Sequence, residues 1–164
     1  MSIIKKAKKI KLVGTDIDGV WTDGKMYYSP SGDCLKAFST YDGMAVEILK
    51  NYGLDILIMT GENSEMVKKR AEKLNIDKVY LHEKEKLKRL KYICSRYNYK
   101  LEEVAYIGDD INDFEVLEAV GLSAMPSSSP VLNMFKPDIV TKRGGGEGAF
   151  REFVENIIAS SQVS

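Results

Sequence analysis

The sequence predicts an α/β protein, a Rossmann-like three-layer fold in which a doubly wound parallel sheet carries a β-hairpin after strand 1 and no cap domain. Short apolar runs alternate with longer stretches of helical periodicity, as in strands joined by crossover helices. One turn-rich segment, 16–42, interrupts that alternation after the first run. Two apolar runs end in clustered aspartates, and open α/β sheets bind ligands at the carboxyl ends of their strands.

The strands are placed where β-branched and apolar residues run together, at 10–15, 55–59, 78–81, 104–108, 122–125 and 138–141. After the first strand, two short runs flank a Ser-Pro-Ser-Gly-Asp turn, which predicts a hairpin flap over about 24–39. Helical periodicity fills the remaining intervals, at 43–52, 63–74, 84–97, 111–119, 130–135 and 147–160. A structured insertion beside a strand end is usually functional.

Composition favours one globular domain over residues 1–164, with 44 % apolar and 29 % charged residues. Lys plus Arg equals Asp plus Glu, at 24 each, so no net charge attracts nucleic acid. The lysine cluster at the start, which lacks interleaved aromatics, is interpreted as a solvated tail. No apolar run approaches a membrane span, and no signal peptide is recognised. Cys34 and Cys94 are interpreted as free thiols of a cytoplasmic protein.

Asp16 and Asp18 directly follow the first strand, in Asp-Ile-Asp-Gly-Val. A carboxylate can attack phosphorus to form an acyl phosphate, and a second carboxylate two residues on can act as acid and base. An Asx-rich turn is the alternative. Clustered carboxylates repel one another and lose solvation, so they favour a hard cation such as Mg²⁺.

A second acidic cluster, Asp109, Asp110 and Asp113, follows the run 104–107. Helical spacing can point Asp109 and Asp113 the same way, although acids at a helix N-terminus also act as plain caps. The strand before Asp109 and the strand before Asp16 are expected to end at the same edge of the sheet. The two acidic clusters together therefore predict a metal site there.

Other candidates are weaker in isolation. Thr60 and Gly61 end the run 56–59, where a hydroxyl and free N–H groups suit a phosphate, or where Thr60 caps a helix. Lys86 could neutralise a phosphate or keep the nucleophile ionised, or be a surface lysine. The only histidine, His82, is interpreted as structural or exposed. A glycine-rich loop after Arg143 opens the last helix and could approach an anion closely, or be a flexible turn.

Taken in order, these motifs resemble those of the haloacid dehalogenase-like phosphotransferases over roughly residues 10–125. The resemblance implies that Asp16 is the nucleophile and Asp18 the acid and base. It also implies phosphoryl binding by Thr60, Gly61 and Lys86. Mg²⁺ would be held by Asp16, the Asp18 carbonyl and Asp109, with Asp110 and Asp113 in or near its outer shell.

A narrower likeness covers nearly the whole chain. The Asp-Gly-Val-Trp-Thr-Asp-Gly segment at 18–24, the hairpin and the segment Arg-Gly-Gly-Gly-Glu-Gly-Ala-Phe-Arg-Glu at 143–152 are similar to capless phosphatases of 2-keto-3-deoxy sugar acids. That likeness implies homotetramers, in which the hairpins form a central barrel and a neighbouring subunit covers each site. It also implies a cytoplasmic enzyme of sugar-acid biosynthesis.

The sequence says less about the number of carbon atoms in the sugar-acid substrate. Octulosonate 8-phosphate phosphatases typically carry Thr-Gly-Arg at the second motif, whereas this chain has Glu62, and they carry Arg before Asp-Gly where this chain has Tyr41. A carboxylate accepts hydrogen bonds from sugar hydroxyls, whereas guanidinium favours an anion. We therefore expect a nine-carbon substrate, nononate or N-acylneuraminate 9-phosphate, ahead of the eight-carbon one. The candidate substrate-binding residues are Thr40, Glu62, Arg70, Lys73 and Arg143.

Two other functions stay open on the sequence alone. One is a non-catalytic assembly domain like that behind some acylneuraminate cytidylyltransferases. The other is a receiver-like domain that takes up phosphate without turnover. Asp18, placed for acid and base chemistry, favours hydrolysis over both.

Overall fold

The computed structural model describes residues 2–163 and contains a six-stranded parallel sheet. Its strands, ordered β5-β4-β1-β6-β7-β8 across the sheet, confirm the predicted doubly wound fold. Each lies within its predicted range, although several are shorter. They are β1 (Leu12–Thr15), β4 (Asp55–Met59), β5 (Val79–Tyr80), β6 (Val104–Ile107), β7 (Leu122–Met125) and β8 (Ile139–Val140).

Helices cover both faces of this sheet. Successive side chains of each strand point to opposite faces, so an apolar strand needs helices to bury it on each side. In β1, Val13 packs into one apolar cluster with α2 (Thr40–Asn51), α3 (Glu65–Lys73) and α6 (Ala149–Ser161). Its neighbour Leu12 packs into a second cluster with α4 (Lys86–Tyr97) and α5 (Phe114–Ala119). The four central strands, β4, β1, β6 and β7, are therefore largely buried on both faces, which leaves their ends accessible, whereas the edge strands β5 and β8 are partly exposed. Among residues 2–163, none of the helices is long and apolar enough to cross a bilayer.

The predicted helix at 130–135 is wrong: residues 130–134 form turns. Pro130 and Pro137 bracket this segment, and so short an interval does not repay the cost of helix nucleation. The predicted helix 111–119 begins instead as a 3₁₀ turn, Ile111–Asp113, before α5.

The N-terminal lysines do not form a simple tail, because Ile3–Ala7 is a short helix, α1. Lys6 pairs with Asp138 at 2.5 Å, and Ala7 is buried. The remaining lysines of this cluster are exposed, as the sequence predicts.

The predicted hairpin is confirmed as a separate two-stranded sheet, β2 (Tyr27–Ser29) and β3 (Gly32–Leu35). Its apolar side chains are unusually accessible: Tyr28 is 67 % exposed and Leu35 is 54 % exposed. In the described chain this hairpin is the only insertion of strands between β1 and α2.

Candidate active site

Three strand ends meet at a cleft of about 260 Å³ on the carboxyl edge of the sheet. Asp16 and Asp18 follow the central strand β1. The second acidic cluster, Asp109, Asp110 and Asp113, follows β6, and Thr60 and Gly61 follow β4. The cleft therefore unites residues that are far apart in the sequence. It is lined by Asp16, Asp18, Gly24, Thr60, Gly61, Glu62, Lys84, Asp109, Asp110 and Asn112.

Asp16 and Lys86 form a buried ion pair beneath this cleft. Lys86 Nζ lies 2.5 Å from Asp16 Oδ2 and 2.7 Å from Asp113 Oδ1, and all three residues are less than 5 % exposed. The Ile17 amide donates to Asp16 Oδ1 at 2.7 Å. Two directional partners thus fix the Asp16 carboxylate in place. The lysine that spacing alone could not distinguish from a surface residue is the central cation of the site.

Asp113 has its oxygens occupied by protein donors. Besides Lys86, Tyr106 Oη donates to Oδ1 at 2.9 Å, and the Asp109 amide donates to Oδ2 at 3.0 Å. It therefore fixes the positions of Lys86 and of the Asp109 backbone. Asp109 itself accepts no side-chain hydrogen bond among residues 2–163 and lines the cleft, so its carboxylate is free to bind a ligand.

Gly19 makes room for Asp109. This glycine has φ +83°, and a Cβ placed on it would lie 1.7 Å from Asp109 Oδ2. The turn after β1 is anchored from below, where Trp21 Nε1 donates to Thr15 Oγ1 at 3.1 Å and the Trp21 ring stacks on Phe150. The glycine in Asp-Ile-Asp-Gly is thus required by the approach of the second acidic cluster.

The charge balance of the cleft fits a hard divalent cation. Carboxylate oxygens of Asp16, Asp109 and Asp113 lie within 4.8 Å of one another. Burial, with the Asp113 charge adding to it, raises the pKa of Asp16 well above its usual range, although Lys86 opposes the shift. Burial and the Asp113 charge raise the pKa of Asp109 to about 7. The raised pKa values show that the neighbouring protein cations do not fully compensate the ionised carboxylates, so an added cation would stabilise them. Oxygen ligands such as these carboxylates suit Mg²⁺.

A lysine that the sequence analysis missed contacts Asp18. Lys36 follows β3 in the chain, its side chain has no exposed surface, and its Nζ lies 2.5 Å from Asp18 Oδ1. Asp33 Oδ2 lies 3.9 Å from the same ammonium. No local pattern marks a hairpin lysine as buried, because the burial comes from contact with another loop.

The Thr60–Gly61 pair lies at the cleft, as the sequence predicts. Thr60 is 1 % exposed, and its amide and carbonyl are held by Tyr80 and Glu83. Glu62 lines the cleft beside them. Lys84 and Asn112, which the sequence analysis did not single out, also line it.

Four predicted substrate-binding residues lie outside the cleft lining of the described chain. Thr40 begins α2, and Lys73 ends α3 as an exposed residue. Arg70 donates to the Ser39 carbonyl at 3.3 Å, and its Nε is buried with no hydrogen-bond partner among residues 2–163. Arg143 lies over the Tyr41 ring, 5.7 Å from its centroid. Within one chain, only Glu62 of that set lines the cleft.

Two amides of the glycine-rich loop are occupied by acceptors of the protein. The Gly145 amide donates to Ser128 Oγ at 2.9 Å, and the Gly146 amide donates to the Val20 carbonyl at 3.0 Å. A Cβ on Gly145 would lie 2.0 Å from the Gly19 carbonyl oxygen. The loop is therefore a close-packed support for the turn that carries Asp16 and Asp18.

Comparison with known proteins agrees with this geometry. Residues 30–121 match the family model described as haloacid dehalogenase-like hydrolase. The 3-deoxy-D-manno-octulosonate 8-phosphate phosphatase of Yersinia pestis is 35 % identical over 95 % of this chain and 83 % of its own length. The chain belongs to the haloacid dehalogenase-like hydrolases, as the order of its motifs predicts.

Solved structures show the same fold. The 3-deoxy-D-manno-octulosonate 8-phosphate phosphatase of Moraxella catarrhalis, in complex with magnesium ion, phosphate ion and the sugar acid, is 34 % identical with a TM-score of 0.91, covering 96 % of this chain and 91 % of that one. A cobalt-bound phosphatase of the same type from Haemophilus influenzae is 31 % identical with a TM-score of 0.90, covering 95 % and 91 %.

Proposed function

We propose that this hydrolase is a Mg²⁺-dependent phosphomonoesterase that removes the terminal phosphate of a 2-keto-3-deoxy sugar acid. The observation that carries this proposal is the buried Asp16–Lys86 pair, at 2.5 Å, beneath a cleft that Asp18, Thr60 and Asp109 also line. The similarity to sugar-acid phosphatases over almost the whole chain supports the substrate class.

The reaction proceeds in two steps. The Asp16 carboxylate attacks phosphorus, the bond from phosphorus to the sugar oxygen breaks, and Asp18 gives its proton to the departing alkoxide. Water then attacks the aspartyl phosphate while Asp18 takes up a proton, which releases inorganic phosphate and restores Asp16. Lys86 and Thr60 stabilise the phosphoryl oxygens as charge builds up in each step.

The metal ligands are drawn from residues that line the cleft, which include Asp16, Asp18 and Asp109 but not Asp113. We assign Mg²⁺ to the carboxylates of Asp16 and Asp109 and the carbonyl of Asp18, with Asp110 and Asp113 outside the direct ligands. When bound, the cation neutralises negative charge on the phosphoryl group. The hydrogen bonds that occupy Asp113 support its place outside the ligand set.

Phosphate release from p-nitrophenyl phosphate and from both sugar-acid phosphates, with Mg²⁺ and with EDTA, tests the proposal directly. We expect turnover that depends on Mg²⁺. A non-catalytic assembly domain would release no phosphate from any substrate. A receiver-like domain would take up phosphate once without sustained release.

For the length of the acid, we propose that the nine-carbon 9-phosphates are preferred. Glu62 lines the cleft, and a carboxylate there accepts hydrogen bonds from the extra hydroxyl groups of a longer polyol chain. The Yersinia pestis relative acts on the eight-carbon acid by its name, so this preference distinguishes the chain from that relative.

Replacing Glu62 with arginine is expected to lower kcat/KM for 2-keto-3-deoxynononate 9-phosphate by about tenfold or more, since one lost polar contact costs that much discrimination. The ratio of kcat/KM for the nine- and eight-carbon substrates should fall as well. Glu65→Arg, an exposed acid at the start of α3, is the matched control and should leave the ratio unchanged. An unchanged ratio in Glu62→Arg would rule out Glu62 as the discriminating residue.

Mg²⁺ binding can be checked without activity. A ligand that binds only the native state stabilises it by about 2.7 kcal/mol at a hundredfold excess over Kd. We therefore expect Mg²⁺ to raise the Tm of the wild type and to have little effect on Asp109→Asn. Asp77→Asn, an exposed carboxylate outside the cleft, should keep the full shift. A full Mg²⁺ shift in Asp109→Asn would remove Asp109 from the ligand set.

A homotetramer built on the hairpin is also proposed. Its exposed Tyr28 and Leu35, and the unpaired outer edges of a two-stranded sheet, support pairing with other copies. A neighbouring copy would place residues such as Arg70, Lys73 and Arg143 near a site that their own chain does not reach. Light scattering of the purified protein decides this, and a monomer at micromolar concentration would contradict it.

A further inference from the structure

Lys36 connects the hairpin to the active site through a buried ion pair. Its side chain is fully enclosed, and its ammonium lies 2.5 Å from Asp18 Oδ1. A buried ammonium is costly unless a carboxylate is held close to it, so this contact constrains both partners. Asp18 Oδ2 is also buried and has no hydrogen-bond partner among the described residues. Lys36 is thus the group that fixes the Asp18 carboxyl, through Oδ1, while Oδ2 is enclosed without a hydrogen bond to hold it.

We propose that Lys36 is a positioning residue for Asp18. By holding Oδ1, it fixes the orientation of the carboxyl that exchanges a proton with substrate and water, and it ties that orientation to the placement of the hairpin. The inference rests on the proposed phosphatase function and deepens it.

The geometry favours this role over a purely structural one. The terminal torsion of an aspartate is soft, so a carboxyl without a fixed partner samples a broad range of orientations. A charge-assisted hydrogen bond removes that freedom. Asp33 is the other carboxylate near Lys36, but at 3.9 Å it is not hydrogen-bonded, so Asp18 is the main partner. Lys36 directly follows β3, so displacement of the hairpin carries the ammonium with it.

Two substrates with different leaving groups test the proposal. The alkoxide of a sugar-acid phosphate needs the proton of Asp18 to depart, whereas p-nitrophenolate departs without one. The parameter kcat/KM reports bond cleavage and is unaffected by the later hydrolysis of the aspartyl phosphate. We expect Lys36→Met to lower kcat/KM for the better sugar-acid phosphate at least about tenfold more than for p-nitrophenyl phosphate, since a positioned acid contributes about 10²–10⁴-fold.

This ratio, taken on a single preparation, does not depend on the fraction of Lys36→Met that folds. Lys25→Met is the matched control, because Lys25 precedes the same hairpin, is 73 % exposed and, within the described part of the chain, forms an ion pair only with Asp23. Its ratio should equal that of the wild type. Equal losses on both substrates in Lys36→Met, or no loss on either, would overturn the positioning role. Turnover of p-nitrophenyl phosphate by the wild type tests the phosphatase function separately. A negative result with Lys36→Met would therefore overturn the positioning role and leave the phosphatase function intact.

Discussion

Replacing Asp16 with asparagine is expected to lower kcat/KM by at least about 10⁴-fold while the protein still folds, because losing a covalent nucleophile costs this much or more. Asparagine preserves the shape of the side chain, and its oxygen can still accept from the Ile17 amide. It carries no charge with which to attack phosphorus. Steady-state phosphate release measures the loss, and thermal unfolding of the same preparation confirms the fold.

Two companion variants make this result specific. Asp23→Asn removes an exposed carboxylate from the same loop and should retain activity close to that of the wild type. Asp18→Asn keeps the nucleophile but lacks the base, so with labelled p-nitrophenyl phosphate, whose leaving group departs without a proton, phosphoryl groups should accumulate on the protein and be detected after acid quenching. Substantial turnover by Asp16→Asn would remove Asp16 from the nucleophilic role, whatever the other variants show.

The positions of the strands along the chain and the meeting of the acidic clusters could be predicted because both depend on local patterns. A short apolar run followed directly by Asp16, and another followed by Asp109, place both groups at strand ends without any knowledge of packing. Parallel strands then bring those ends to one edge of the sheet. Lys86 is a borderline case, because the sequence implies its phosphoryl-binding role only through the whole set of motifs and not through the residues around it.

Residues whose position depends on contacts between loops could not be placed this way. The burial of Lys36 arises where the hairpin meets the turn after β1, and no spacing rule encodes that contact. The glycines at 144–146 suggested an anion-binding loop, yet the same residues are required because Gly145 packs against the backbone of Gly19. A glycine that permits close packing and one that admits a ligand look alike in sequence.

Short helical segments were the other source of error. The segment 130–135 has apolar residues at helical spacing but forms turns between two prolines, whereas the five residues of α1 form a helix that the lysine pattern concealed. At this length, tertiary contacts decide the outcome: Lys6 pairs with Asp138, and Ala7 packs inward.

Replacing Lys86 with methionine is expected to have the second largest effect, on activity and on stability together. Lys86 is 3 % exposed between Asp16 and Asp113, so its loss leaves two buried carboxylates without their cation. Breaking a buried ion pair in this way costs about 3–5 kcal/mol. We also expect kcat/KM to fall at least about 10²-fold, because the nucleophile and the phosphoryl oxygens lose a charged partner. Denaturant unfolding in EDTA, at one protein concentration, measures the loss of stability.

The destabilisation in Lys86→Met should depend on pH with a defined sign. Burial already raises the pKa of Asp16 above that of the unfolded chain, and removing the Lys86 charge, which lowers that pKa, raises it further. A group with a raised folded-state pKa contributes its stability at low pH and loses it as the pH rises through that value. The variant should therefore lose less stability at about pH 5 than at about pH 8. Lys88→Met, an exposed lysine of the same helix paired with Glu85, should show neither the loss nor the trend. A loss in Lys86→Met that is equal at both pH values would show that Asp16 is not stabilised by this lysine.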